Sequence, residues 1–310
     1  MNFALYLTCQ IITVTVLELE QVEKSYGKIR ALKGVSLNVP EGSVFGILGP
    51  NGSGKTTLLS IILDVLKADK GNYKWFGQPG SPQIRKQIGS LLETPNFYHY
   101  LSGINNLRVT QSINERGTAK DIDEVLKRVK LSERRNSRFS SYSLGMKQRL
   151  AIGAALLGNP RVLVLDEPTN GLDPVGIAEM RELIKDLHRQ GHTIILASHL
   201  LDEVEKVCTH VAILKTGDLV ASGEVNEVLI DDDIIEIGAE DQETLTRILM
   251  EHEGHSKLTK EGNYFHLFFE KGTAKPEEIN AFCFNRGVKL SHLVLKKQKL
   301  EAKFFELTGN

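Results

Sequence analysis

Eight consecutive residues, Gly49-Pro50-Asn51-Gly52-Ser53-Gly54-Lys55-Thr56, fit the phosphate-loop pattern in full. No other segment constrains the fold as tightly, because such a loop needs a strand to deliver it and a helix to receive it. Both are legible. Val44–Leu48 is a short apolar run, and in the segment from Thr57 to Leu66 the residues Leu58, Ile61, Ile62, Val65 and Leu66 recur at helical spacing. Glycines let the backbone wrap with its N–H groups turned inward, where they bind phosphate oxygens. The helix that follows adds its positive N-terminal end. Gly49 through Thr57 are therefore the candidate nucleotide-binding residues, with Lys55 bridging the β- and γ-phosphates and Thr56 holding Mg²⁺.

A second apolar run, Val162–Leu165, ends in Asp166 and Glu167, and a third covers Thr193–Ala197. Continuous apolar runs are what parallel strands covered on both faces require. Between these two runs lies a helix capped by Asp173, with Pro174 in its first turn, Ile177, Met180, Ile184 and Leu187 on one face, and Gly191 as its stop. Strands alternating with helices predict a parallel α/β sheet. Ligands of such sheets collect at the carboxyl edge of the strands, which places Asp166 and Glu167 beside the phosphate loop. Asp166 there can hold Mg²⁺ through water, and Glu167 can polarise an attacking water.

Residues about 97–157 lack strand-like runs and read as a helical insertion. The character changes near Gly223. Beyond it the order is strand (Asp233–Ile237), helix (Gln242–Met250), strand (Ser256–Thr259), strand (Tyr264–Glu270), helix (Pro276–Asn285), strand (Leu290–Leu295), which would suit a ferredoxin-like unit over 224–310. An amphipathic segment, Lys299–Leu307, follows it.

Bulk properties exclude several functions. With 25% charged residues and a net charge of -1, the chain lacks the excess of Lys and Arg of a nucleic-acid binder. Cys9, Cys208 and Cys283 have no metal-ligand spacing and read as reduced thiols of a cytoplasmic protein. His252, Glu253 and His255 lack the spacing of a zinc-protease helix and read as a solvated loop. Lys296, Lys297, Lys299 and Lys303, interleaved with Glu301 and Glu306, read as a solvated face. Residues 1–16 carry no charge, but polar residues interrupt the apolar run; it is short against the usual span of about 20 residues and lacks the basic start of a secretory signal. We read it as an extension that precedes or lengthens the first strand.

With these motifs in view, the segment from Leu17 to Gly223 resembles the ATP-binding subunits of ABC transporters. Tyr26 matches the aromatic that stacks on adenine. Ser143-Leu-Gly-Met-Lys-Gln-Arg149 matches the signature sequence, Gly171-Leu-Asp173 the D-loop, and His199 the switch histidine at the γ-phosphate. The resemblance implies a P-loop NTPase fold of class α/β: a parallel sheet core, an antiparallel edge subdomain and a helical insertion, here followed by a small α+β C-terminal domain. It also implies ATP and Mg²⁺ as ligands, with Glu167 and His199 catalytic. Two copies would pack head to tail, Ser143 and Gly145 of one covering ATP on the other, with Asp173 at the same interface. A separately encoded membrane permease is implied as partner, with the chain peripheral on the inner face of the membrane.

Two departures stand out. The common signature Leu-Ser-Gly-Gly-Gln is replaced by Tyr142-Ser143-Leu144-Gly145-Met146, which keeps the hydroxyl and the second glycine and predicts a working but altered site. Where the family places the Q-loop glutamine, this chain has Glu93, which either takes over the contact to Mg²⁺ or is an ordinary loop acid. ABC subunits of bacitracin export and lantibiotic self-protection carry Glu there, followed by a stretch similar to Pro95, Phe97 and Tyr98. That similarity points to export of an amphiphilic peptide or drug-like molecule. A soluble ABC ATPase acting on ribosomes or DNA is the alternative, but the chain has one phosphate loop, and only about a hundred residues without heptads separate Lys55 from Asp166. A non-catalytic ATP binder fits poorly with intact Lys55, Asp166, Glu167 and His199.

Overall fold

The computed structural model describes residues 14–93, 96–228, 233–270, 272–297 and 304. The chain divides into two units, Met1–Val225 and Asn226–Asn310.

In the first unit, β1 (Thr15–Tyr26) and β2 (Ile29–Pro40) form a hairpin, followed by β3 (Val44–Leu48), α1 (Lys55–Ile62), β4 (Lys70–Trp75), β5 (Gln78–Pro79), α2 (Pro82–Arg85) and β6 (Ile88–Leu91). Three helices then replace strands: α3 (Gly103–Asn114), α4 (Ala119–Arg128) and α5 (Leu144–Leu156). The alternation resumes with β7 (Val162–Asp166), α6 (Pro174–Arg189), β8 (Thr193–Ser198), α7 (Leu201–Val207), β9 (His210–Lys215) and β10 (Asp218–Glu224). One helical turn, α8 (Val225–Val228), follows in sequence.

Two sheets result. One is antiparallel with order β2-β1-β4-β5; the other has order β10-β9-β3-β8-β7-β6, parallel except for β10 on β9. Strands β3 and β7 are buried along their whole length, as their unbroken apolar runs require. A single hydrophobic core draws Leu17, Leu19 and Leu37 from the antiparallel sheet, Phe45, Ile47 and Val164 from the parallel one, and Leu58, Leu59, Ile61 and Ile62 from α1. Each fully buried aliphatic side chain of that set contributes roughly 2 kcal/mol, so the helix behind the phosphate loop is firmly held.

Helix α1 stops at Ile62, short of the Leu66 that periodicity suggests. The Trp75 indole Nε1 donates to Ile62 O at 2.8 Å, and Asp64 adopts a left-handed φ of 60. The carbonyl of the last turn is thus satisfied by a side chain and the backbone turns away. Helix α6 has the punctuation of its sequence: Asp173 is its N-cap, accepting from Gly176 N at 2.9 Å, with Pro174 in the first turn.

The second unit contains β11 (Asp233–Ala239), α9 (Gln242–Met250), β12 (Lys257–Glu261), β13 (Tyr264–Phe269), α10 (Pro276–Asn285) and β14 (Leu290–Lys297). Its antiparallel sheet has order β12-β13-β11-β14. Ile235, Ile237, Phe265, Leu267 and Phe269 pack with Leu245, Ile248, Leu249, Ile279 and Cys283 from the helices. Glu236, between the two inward isoleucines, points to the other face. It is nonetheless buried, and accepts from His266 at 2.7 Å, His292 at 2.8 Å and Lys296. Burial alone would raise its carboxyl; the bonds from Lys296, His266 and His292 outweigh that and bring it down to about 2.

This unit corrects two expectations. Lys296 is not part of a merely solvated face, since it closes an ion pair on Glu236; Lys299, Lys303 and most of Lys299–Leu307 lie outside the described residues. His252 and His255 are half-buried, stacked at 5.8 Å, with His252 edge-on to Phe282 at 4.7 Å. Burial lowers the pKa of His252. Cys208 and Cys283 are buried free thiols; Cys9 lies outside the described residues. Among the described residues, no helix is long and apolar enough to cross a membrane.

Candidate nucleotide site

The loop between β3 and α1 is shaped by close approaches within its own chain. A Cβ on Gly49 would lie 2.3 Å from Ser53 Oγ and 2.4 Å from Leu214 O, and Gly54, at φ 107, would place one 2.5 Å from Ala31 O. Neither position accepts a larger residue without moving main chain. Ser53 N–H donates to Pro50 O at 3.1 Å, closing the turn that carries Asn51 and Gly52 on its exposed rim.

Lys55 is buried, and its ammonium donates to Gly49 O at 2.8 Å and to Pro50 O at 3.3 Å, with Glu167 Oε1 at 3.5 Å. The cation is folded back onto its own loop. Thr56 Oγ1 donates to Asp166 Oδ2 at 2.9 Å, joining the start of α1 to the end of β7. Thr57 follows in the first turn of α1 and is half-buried.

Strand β7 ends at Asp166, and the chain turns sharply at Glu167, whose φ is 48. That turn sends the two adjacent carboxylates to different partners. Glu167 accepts from His199 Nδ1 at 2.8 Å. Because a carboxylate only accepts, Nδ1 carries a proton in this contact, which leaves Nε2 free to face away from Glu167. Asp166 is 2% exposed, and its Oδ1 has no hydrogen-bond partner among the described residues. Burial pushes its carboxyl up; the Thr56 hydroxyl and Lys55 oppose this, while the charges of Glu167 and Glu93 add to it. Ser53 Oγ is likewise buried without a partner. A carboxylate oxygen and a hydroxyl left bare beside a buried ammonium make a donor set that fits a hydrated divalent cation and a phosphate group.

Sequence reasoning placed these residues together, and the structure does so: Lys55, Thr56, Asp166, Glu167 and His199 form one connected set, and Glu93, also left-handed at φ 55, is near enough to raise the Asp166 carboxyl. Tyr26 ends β1 half-exposed, with the Lys24 ammonium 5.9 Å from its ring. The signature residues are not brought to this set. Ser143 caps α5, accepting from Met146 N at 3.3 Å. Among the described residues, Gly145 has only Leu172 Cδ2 near the position of a Cβ, at 3.8 Å. Leu144 packs on Gly171 of the D-loop, where a Cβ would meet its Cδ2 at 3.0 Å. No motif marks Arg116, whose guanidinium binds three main-chain carbonyls near the base of α5; a residue that reads carbonyls leaves none.

Fold and site together define an ATP-binding cassette of the P-loop ATPase class. Residues 32–170 match the ABC transporter family. The uncharacterized ABC transporter ATP-binding protein YhcH of Bacillus subtilis (strain 168) is 36% identical over 300 residues, covering 95% of this chain and 96% of that protein. The bacitracin transport ATP-binding protein BcrA of Bacillus licheniformis is 32% identical over 306 residues, covering 95% and 98%. Among solved structures, the dimeric post-hydrolysis state of the ATP-binding cassette MJ0796 bound to ADP and Pi matches with a TM-score of 0.60 at 29% identity, over 67% of this chain and 98% of that one. The chain belongs to the ABC transporter family, as an ATP-binding subunit.

Proposed function

We propose that this chain binds and hydrolyses ATP to drive a separately encoded permease that exports an amphiphilic peptide or drug-like molecule, working as a head-to-tail pair on the inner face of the membrane. One observation carries the paired reading. The phosphate loop, Asp166, Glu167 and His199 converge in one chain, while Ser143 and Gly145 lie apart, with nothing among the described residues that explains a glycine at 145. A glycine without an internal reason fits close approach from outside. The resemblance to BcrA over nearly the full length of both chains supports the substrate class.

In this reading Lys55 exchanges the carbonyls of Gly49 and Pro50 for phosphate oxygens, and the N–H groups of residues 51–57 hold the rest of the phosphate chain. Mg²⁺, held by Thr56 and Asp166 with Glu93 alongside, would neutralise phosphate charge. Glu167 orients water for attack, and His199, fixed by its Nδ1–H bond to Glu167, turns Nε2 toward the reacting side. Tyr26 offers its exposed ring to the adenine. Ser143 and Gly145 of the second copy close the site, with Asp173 beside them. The C-terminal unit, whose strand order suits a ferredoxin-like fold, acts as an accessory domain.

The test is Glu167→Gln with ATP and Mg²⁺. It should abolish turnover and trap a dimer visible by light scattering; normal turnover, or a monomer at saturating ATP, would sink the paired mechanism. Disruption of the gene should sensitise cells to some members of a panel of amphiphilic peptides, and unchanged sensitivity to all of them would remove the substrate assignment.

A further inference from the structure

We propose that Arg116 is a positioning residue of the shared ATP site: it pins the base of the signature helix α5 to strand β6, so that Ser143 at the helix's far end meets the partner copy's nucleotide in register. The inference rests on the head-to-tail reading above.

Arg116 lies just past the end of α3, between Glu115 and Gly117, both of positive φ. Its Nε donates to Leu157 O at 3.1 Å, its Nη2 to Ala155 O at 2.8 Å and its Nη1 to Ile88 O at 2.5 Å. These acceptors share a property: the regular ladders leave them over. Ala155 and Leu157 stand at the C-terminal end of α5, where carbonyls lack intrahelical partners and the helix dipole favours a cation. Ile88 opens β6, the edge strand, which among the described residues pairs only with β7. The planar fork of a guanidinium serves three separate carbonyls, which an ammonium cannot do from one point.

The contact is intimate. A Cβ on Gly89 would lie 2.1 Å from Ala155 O, so helix end and strand touch main chain to main chain. Among the described residues no carboxylate forms an ion pair with Arg116, and burial lowers its pKa. The charge is spent entirely on holding segments together. One of those segments carries the signature. Helix α5 has Ser143 as its N-cap, 13 residues from the clamp. At 1.5 Å per residue the lever is about 20 Å long, so a tilt of about 5° at the base moves Ser143 by nearly 2 Å, roughly. Such a shift breaks a hydrogen bond.

The experiment uses full-length chains with two affinity tags, purified as mixed pairs and assayed for ATP turnover. When Arg116→Met is paired with Lys55→Ala, the altered signature faces only a dead phosphate loop, so turnover should equal that of wild type paired with Lys55→Ala. When Arg116→Met is paired with Ser143→Arg, the surviving phosphate loop is covered by the altered signature. Turnover should then fall about tenfold below wild type paired with Ser143→Arg, the loss expected for one charge-assisted hydrogen bond. Arg116→Lys should show the same asymmetry and guards against a methionine variant that fails to fold. Equal losses in both pairs would mark a merely structural residue, and no loss in the second would remove the pivot; either overturns the proposal. The pair of Lys55→Ala with Ser143→Arg tests the underlying reading alone. Turnover there requires shared sites, and silence overturns the head-to-tail pair and the pivot with it.

Discussion

Replacing Gly145 with alanine should move stability and function in opposite directions. Among the described residues the new methyl meets nothing nearer than Leu172 Cδ2, at 3.8 Å, an ordinary van der Waals contact. Gly145 is the second residue of α5, so alanine there reduces the entropy lost on folding and should stabilise the first unit by about 0.5–1 kcal/mol. For a domain of this size that is a rise in Tm of about 1–4 °C. In the closed pair the same methyl intrudes between signature and nucleotide. Overpacking of a tight contact costs about 1–3 kcal/mol, which lowers turnover by about 5- to 150-fold. Unfolding is followed by the fluorescence of Trp75, the single tryptophan, which lies in the core behind the phosphate loop. Turnover is measured at saturating ATP, and closure as ATP-induced dimerisation in a Glu167→Gln background. Unchanged turnover would refute close approach from a second copy, and a lowered Tm would refute the open space around Gly145.

Gly49→Ala should do the reverse of that separation: with Ser53 Oγ and Leu214 O within 2.4 Å of the new carbon, both Tm and ATP binding should fall, as thermal unfolding and nucleotide titration would report. His199→Ala should lower turnover by about 10²–10³-fold while leaving ATP affinity within a few-fold, because it removes the group that orients Glu167 and a single γ-phosphate contact, while Lys55 and the loop N–H groups keep the rest of the phosphate chain; an equal loss in affinity would contradict this. Glu236→Gln should destabilise the second unit. The Glu236 carboxyl falls from its ordinary value of 4.5 to about 2 in the folded chain, so its stabilisation is complete above about pH 4.5 and disappears as pH falls to about 2. The shift corresponds to about 3 kcal/mol, discounted to about 2 because the Lys296 arm is half in solvent. Hydrogen exchange of the β11 and β13 amides should show that deficit at neutral pH and its closure in acid, with Trp75 fluorescence unaffected; a deficit constant with pH would exclude the ion-pair network as its cause.

What was legible in the sequence depended on how each residue does its work. The phosphate loop is contiguous, and its shape follows from glycine placement, so Gly49–Thr56 could be read directly. Asp166 and Glu167 end an apolar run, and the rule that ligands gather at the carboxyl edge of strands located them. The α1 boundary was misread because apolar spacing continues to Leu66, whereas the helix ends where Trp75 takes its carbonyl. Period-two reading turns Glu236 away from Ile235 and Ile237, but which side chains face it depends on the register of β13 and β14, and no local pattern carries register. Lys296 therefore looked like one cation in a solvated run. Arg116 is the extreme case: its partners are carbonyls, and every sequence has carbonyls everywhere.

The departures in the signature gain a physical account from the same geometry. Where the family pattern has glycine, Leu144 sits with 44% of its surface exposed and its Cδ2 against Gly171, while Leu172 of the same D-loop reaches back over Gly145. The two loops interdigitate within one chain. Arg149 adds a second link, donating to Gly145 O at 3.4 Å and lying 3.6 Å from Glu179 on α6. A flexible glycine at 144 would leave the signature free to move against the D-loop; leucine couples them. With Arg116 fixing the base of α5 and Leu144 tying its tip to Gly171, the helix behaves as a strut held at both ends. The hydroxyl of Ser143 and the bare backbone of Gly145 are then presented outward by a rigid element, which is what a site completed by a second chain requires.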